Sequence, residues 1–111
     1  MQPLRIVNVD DEEIVLDIVK AMIRAKFDVT IQSFQDSNEA WQELLRADPV
    51  LLITDNIMPG PTGEDLVRWL VQRQVQYPIV VTSGWPPTEQ WVRNYTVQVS
   101  SGEDKNAPGR I

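Results

Sequence analysis

The chain has no cysteine, which rules out a disulfide framework and any thiolate metal site, and gives no pointer to an oxidising compartment. Basic residues are scarce. Ten Lys and Arg stand against 16 Asp and Glu, for a formal charge of −6, whereas a protein that grips a phosphate backbone needs clustered positive charge. Nucleic acid is therefore not an expected partner, and the acidic excess favours cations. Long apolar runs are missing too. The longest, residues 50–53 and 79–81, fall far short of the ~20 residues that a membrane helix requires. No basic start leads into an apolar signal core, so the expectation is a cytoplasmic protein without a membrane partner. What is present is one ordinary core: 111 residues, 42% of them hydrophobic, have room for a single domain.

Short apolar runs alternate with helical patterns along the chain. Residues 4–9 (LRIVNV) read as a strand, and from Glu12 the positions Ile14, Val15, Ile18, Val19, Met22 and Ile23 recur at three and four residues as one helix face ending near Ala25. Phe27, Val29 and Ile31 alternate with polar residues, the signature of a strand with one wetter face at a sheet edge. Asp36 with Glu39 has the spacing of a capping box, and Ala40, Trp41, Leu44 and Leu45 supply the buried stripe that follows. Pro49 ends that helix. Residues 50–54 do not alternate, as in a central strand covered on both faces. Thr62 with Asp65 starts a third helix through Leu66, Val67, Leu70 and Val71, and Pro78 leads into a fourth strand.

This order predicts an α/β fold, a doubly wound and mostly parallel sheet with helices on both sides, because parallel strands need crossovers and these are right-handed. All parallel strands end at one edge, and ligands bind there, where the strand order reverses. Asp10 and Asp11 follow the first strand, Asp55 the third and Ser83 the fourth. Three carboxylates and a hydroxyl are thus expected to meet. Carboxylates this close repel one another, and a divalent cation removes the conflict; magnesium suits oxygen ligands and takes few carboxylates. Such a site lets one carboxylate act as nucleophile toward a phosphoryl group.

The simpler alternatives are that Asp10 and Asp11 cap the first helix, and that Asp55 is a turn former ahead of Pro59. Ser83 before Gly84 is on its own an ordinary turn pair. Trp41 and Trp69 lie in helical patterns and read as packing residues. Only the convergence of separate strand ends favours a common site over these local roles.

The stretches IVNVDDEE, ITDNIMPGPTG and YPIVVTSG together closely resemble the receiver domain of two-component response regulators, over roughly residues 4–84. The resemblance implies a flavodoxin-like sheet of order 2-1-3-4-5 and a phosphoryl acceptor that is not an enzyme beyond any self-catalysed phosphorylation and dephosphorylation. Asp55 matches the phosphoacceptor, Asp11 the direct magnesium ligand, and Asp10 its neighbour, which reaches the ion through water. Ile57 would contribute its backbone carbonyl, so its side chain is free to vary. Ser83 matches the switch hydroxyl and Gly84 the small residue whose amide approaches the phosphoryl group. Met58, Pro59 and Gly63 match the positions that shape the loop. The implied donor is a sensor histidine kinase or a phosphotransfer protein, since this chain has no histidine. A degenerate receiver-like module that binds partners without phosphorylation is the alternative.

The resemblance weakens toward the end of the chain. Receiver domains carry a Lys-Pro pair after a fifth apolar strand; Lys105 has the right distance from Ser83, but stands in the polar stretch SSGEDKNAP. The fifth strand and fifth helix are expected to be degenerate or missing, with a receiver-like domain over residues 1–101 and a disordered tail over 102–111. An incomplete C-terminal side leaves a sheet flank uncovered, so self-association, or else a marginally stable monomer, is a further expectation.

Overall fold

The computed structural model describes residues 4–82 and 96–98. In chain order the elements are β1 (Arg5–Val9), α1 (Glu13–Arg24), β2 (Thr30–Phe34), α2 (Ser37–Arg46), β3 (Leu51–Asp55), α3 (Gly63–Gln72), β4 (Pro78–Thr82) and β5 (Thr96–Gln98). Local chemistry places most of the boundaries. At α3 a complete capping box forms: the Thr62 hydroxyl accepts from the Asp65 amide at 3.1 Å and the Asp65 carboxylate accepts from the Thr62 amide at 3.0 Å. Thr62→Ala removes half of this reciprocal pair and is expected to cost about 1 kcal/mol in chemical denaturation; no change would mean that packing alone holds the helix end.

Two boundaries differ from the sequence reading. Asp36 caps α2 by accepting from the Asn38 amide at 2.8 Å, one residue short of Glu39, so the cap is a simple one. β2 begins at Thr30 rather than at Phe27. The Phe27 amide is still committed to the Ile23 carbonyl at 2.9 Å, and a residue wrapped onto a helix end cannot also enter a strand ladder.

The sheet order is β2-β1-β3-β4-β5. The first four strands are parallel, with Val7 opposite Gln32 and Leu52, and Leu52 opposite Ile79. β5 is short and runs antiparallel, placing Thr96 beside Val80 and Gln98 beside Pro78. The degenerate fifth strand is therefore three residues long and reversed, and among the described residues no helix follows α3.

The two faces of the sheet are covered unequally. Val7, Val9, Leu52, Ile79 and Val81 share the face under α2 and α3, and each is at most 1% exposed. Burial of each such side chain contributes roughly 1.5–3 kcal/mol. Tilted rings of Trp41 and Trp69, 5.1 Å apart, join α2 to α3 above this core, which accords with their reading as packing residues. On the opposite face α1 is the only helix among the described residues. Ile6 and Asn8 are buried there, but Leu51, Ile53 and Val80 are only half-buried. Among the described residues only one side of the central strand β3 is fully closed over, with Leu52 and Thr54 fully buried and their neighbours half-buried.

Candidate functional site

β1 and β3 are adjacent and parallel, so their last residues reach the same edge, and Asp10 and Asp55 stand next to each other there. A carboxylate oxygen from each of Asp10, Asp11 and Asp55 lies within 4.8 Å of the others. The three carboxylates predicted to converge do so. The site is graded in burial: Asp10 is buried, Asp55 half-buried and Asp11 exposed.

Backbone amides hold the carboxylates of Asp10 and Asp55. The Asp10 amide donates to the Phe34 carbonyl at 3.0 Å, tying the residue to the end of β2, and its Oδ1 accepts from the Glu12 amide at 2.9 Å. Asp10 thus makes a local turn ahead of α1 alongside its place in the cluster, but it does not cap the helix, whose N-cap is Glu12 with no side-chain cap bond. The Asp11 carbonyl accepts from Gln35 Nε2 at 3.3 Å. Asp55 Oδ1 accepts from the Asn56 amide at 2.9 Å, with a further contribution from the Ile57 amide.

Burial pushes the Asp10 carboxyl up from 3.8 to about 6, against the lowering effect of the Glu12 amide and with help from the charges of Asp55, Asp11 and Glu12. Asp55 is raised for the same leading reason, burial, with Asp11 and Glu12 adding to it. Such a cluster is a poor place for three negative charges and a good one for a hard dication, which prefers carboxylate and carbonyl oxygen. The donor set present, all oxygen with no sulfur or imidazole, fits magnesium.

The raised value has a sign. Because the folded chain holds the Asp10 proton more tightly than the unfolded chain does, stability falls as pH rises from about 4 to about 6 and stays reduced above that window. Asp10→Asn keeps an oxygen for the Glu12 amide and removes the charge. Without divalent cation at pH 7 the variant is expected to be more stable than wild type by about 1–2 kcal/mol, less than the whole shift because this edge is screened by solvent. Denaturant titrations at pH 7 and pH 4 check this, the difference vanishing at the lower pH. A variant less stable at pH 7 would contradict it.

Residues outside the acidic cluster fix the loop after Asp55. Asn56 clamps the start of α3: its carbonyl accepts from the Gly63 amide at 2.9 Å, its Oδ1 from the Glu64 amide at 3.0 Å, and its Nδ2 donates to Glu64 Oε1 at 3.3 Å. The Asn56 amide also donates to the Thr82 carbonyl at 2.8 Å, and the Thr82 hydroxyl donates to the Thr54 carbonyl at 3.3 Å, which binds the end of β3 to the end of β4. Sequence reasoning missed Asn56 and Thr82; the only signal was an amide side chain directly after the acid. Met58 is buried in the core and anchors the loop, and Gly60, at φ +79°, turns it where a side chain would be strained. The buried Ser37 hydroxyl supports the turn by donating to the Pro59 carbonyl at 3.3 Å. Ile57 is 75% exposed, its side chain free of the core. Ser83, Gly84 and Lys105 lie outside the described residues.

The family model described as the response regulator receiver domain matches residues 6–101. The chain belongs to the response regulator receiver domain family. Among solved structures, the chain is similar to a two-component transcriptional regulator AraC from Clostridium phytofermentans, at 34% identity and a TM-score of 0.63, over 75% of this chain and 66% of that one. It is also similar in fold to a response regulator receiver domain protein from Clostridium thermocellum (20% identity, TM-score 0.66, 75% and 67% of the two chains). A third is the response regulator protein TrrA from Thermotoga maritima, solved in complex with Mg(2+)-BeF (22% identity, TM-score 0.68, 75% and 71%). Among curated proteins none matches the chain by sequence. Receiver domains generally act as phosphoacceptors of two-component signalling. Among the described residues no helix is long and apolar enough to cross a membrane.

Proposed function

We propose that this receiver accepts a phosphoryl group on Asp55 from the phosphohistidine of a sensor kinase or phosphotransfer protein, with a magnesium ion held by Asp10, Asp11, Asp55 and the backbone carbonyl of Ile57. The observation that carries the reading is the meeting of three carboxylates at the end of parallel strands, within 4.8 Å. In the transfer an Asp55 carboxylate oxygen forms a bond to phosphorus as the bond from phosphorus to the donor imidazole nitrogen breaks. The electron pair of that bond leaves with the imidazole, and the product on this chain is an acyl phosphate. The donor lies outside these residues, because the chain has no histidine.

Bound magnesium would supply charge neutralisation for the phosphoryl oxygens. The chain itself supplies position. The Asn56 and Ile57 amides orient the Asp55 carboxylate, and the Asn56 clamp on α3 keeps the loop from collapsing onto it. Asp10, buried against the end of β2, sets the depth at which the cation would sit. The TrrA complex with Mg(2+)-BeF supports magnesium as a cation suited to this fold.

Ser83 follows Thr82 directly, and Thr82 is bonded through its carbonyl to Asn56 beside the acceptor. A new bond from the Ser83 hydroxyl to the transferred group, with the Gly84 amide approaching it, would pass the modification from β3 to the loop after β4. In the family the lysine after the fifth strand ion-pairs with the phosphoryl group, and the geometry of β5 does not favour that role for Lys105. β5 ends at Gln98 beside Pro78, at the edge opposite the carboxylates, so this strand does not end at the site as a parallel one would. The test is magnesium-dependent labelling mapped to residue 55 by peptide mass. Labelling that proceeds equally in excess chelator, or that maps elsewhere, would defeat the proposal and leave a module that binds partners without phosphorylation.

A further inference from the structure

The three acids are not fixed alike. The Asp10 and Asp55 carboxylates each accept from a backbone amide at 2.9 Å, whereas among the described residues no hydrogen bond reaches the carboxylate of Asp11, the exposed member of the cluster. What is fixed at Asp11 is its backbone. The peptide that joins it to Glu12 is held at both poles: the N–H, from Glu12, donates to Asp10 Oδ1 at 2.9 Å, and the carbonyl, from Asp11, accepts from Gln35 Nε2 at 3.3 Å. Gln35 comes from another part of the chain, and the residues on either side of it are tied down. The Phe34 carbonyl accepts from the Asp10 amide at 3.0 Å, and Asp36 caps α2, its side chain accepting from the Asn38 amide at 2.8 Å and its carbonyl from the Ala40 amide at 3.1 Å. The end of β2 therefore holds both members of the acidic pair, Asp10 through main chain and Asp11 through the side chain of Gln35.

We infer that Gln35 is a positioning residue for the magnesium site, holding the peptide between Asp11 and Glu12 so that the Asp11 carboxylate stays with those of Asp10 and Asp55. The inference rests on the magnesium reading proposed above. The two poles of that peptide cease to be equivalent once a cation is bound. Asp10 belongs to the proposed ligand set, and a carboxylate oxygen that shares its charge with a cation, or with a water on one, is a weaker acceptor for the Glu12 amide. The Gln35 bond ends on a carbonyl outside that set, so it keeps its strength and carries more of the orientation in the loaded site. A peptide fixed beforehand also spares the ordering cost that binding would otherwise meet. Glutamine suits the task chemically: its amide donates to the carbonyl without adding a positive charge that would oppose the cation, as a lysine would. Outer partners of metal ligands commonly change affinity by roughly tenfold to a hundredfold. This bond is exposed and 3.3 Å long, so an effect of about fivefold is expected here.

Calorimetric titration of the full chain with magnesium chloride at pH 7, without phosphodonor, is expected to give a dissociation constant about fivefold higher for Gln35→Met than for wild type. Methionine keeps the length and loses the donor. Gln35→Asn keeps the amide but is one methylene too short to reach the Asp11 carbonyl, and should weaken binding in the same way. In excess chelator both variants should unfold at the wild-type denaturant midpoint, because in the free chain Asp10 still holds the other pole of the peptide. A residue with a merely structural role would move that midpoint. The magnesium concentration for half-maximal labelling of Asp55 should rise by the same factor as the dissociation constant, more than the maximal rate falls. Affinity equal to wild type in either variant, a loss of affinity matched by a loss of stability in chelator, or a wild type that binds no magnesium would each overturn the inference. The titration involves no phosphoryl transfer, so a wild type that binds magnesium and is never labelled would defeat the phosphoacceptor proposal while leaving the part of Gln35 to be read from the two dissociation constants.

Discussion

Incubated with magnesium and a small-molecule phosphodonor, the wild-type chain is expected to gain the mass of one phosphoryl group, and Asp55→Asn none. The amide is nearly isosteric and keeps an oxygen for the Asn56 amide, which now bonds Asp55 Oδ1 at 2.9 Å. What it lacks is an anionic oxygen that can form the bond to phosphorus. Its neutral side chain also lowers the charge of the cluster, so the variant should fold at least as well as wild type: burial and the neighbouring acids already raise the Asp55 carboxyl. Loss of labelling together with unchanged or higher stability assigns the effect to chemistry. Intact mass and a denaturation curve on the same preparations decide it, and a phosphoryl gain retained by Asp55→Asn would remove Asp55 from its role.

The second large effect is expected from Gly63→Ala. Gly63 is the first residue of α3 and lies so close to the end of β3 that an added Cβ would stand 2.5 Å from the Asp55 carbonyl oxygen and 2.9 Å from the Asn56 Cα. Both are backbone atoms, which cannot turn aside as a flexible side chain can. Alanine favours helix by about 1 kcal/mol over glycine, but the clash must be relieved by moving the helix or the loop, at a cost of about 3 kcal/mol. Such movement breaks the Gly63 amide bond to the Asn56 carbonyl, now 2.9 Å, and displaces Asp55 from Asp10 and Asp11. Lower stability in denaturant should therefore be accompanied by weaker magnesium dependence of labelling. A variant as stable and as readily labelled as wild type would show that the loop has slack.

Much of the site was legible in the sequence because it depends on where strands end. Once residues 4–9 and 50–54 are read as parallel neighbours, Asp10, Asp11 and Asp55 have to share an edge. Asn56 was not legible. Its part depends on the start of α3 folding back to within hydrogen-bond reach, a contact between residues eight apart in sequence. The same holds for Ile14 and Met22. Helical spacing put them on one apolar face of α1, and the structure leaves both exposed, α1 being the only helix on its side of the sheet among the described residues. Spacing says which residues share a face; it does not say whether another element arrives to cover that face.

Order of elements, strand polarity of the first four strands and the identity of the clustered acids followed from the amino-acid sequence, because each rests on local patterns and on the handedness of short crossovers. The reversal of β5, the clamp on the loop after Asp55 and the exposure of Ile14 and Met22 on α1 were decided only in three dimensions. Those features depend on which distant surfaces come into contact, and pairing energies between segments far apart along the chain leave no periodic trace in it.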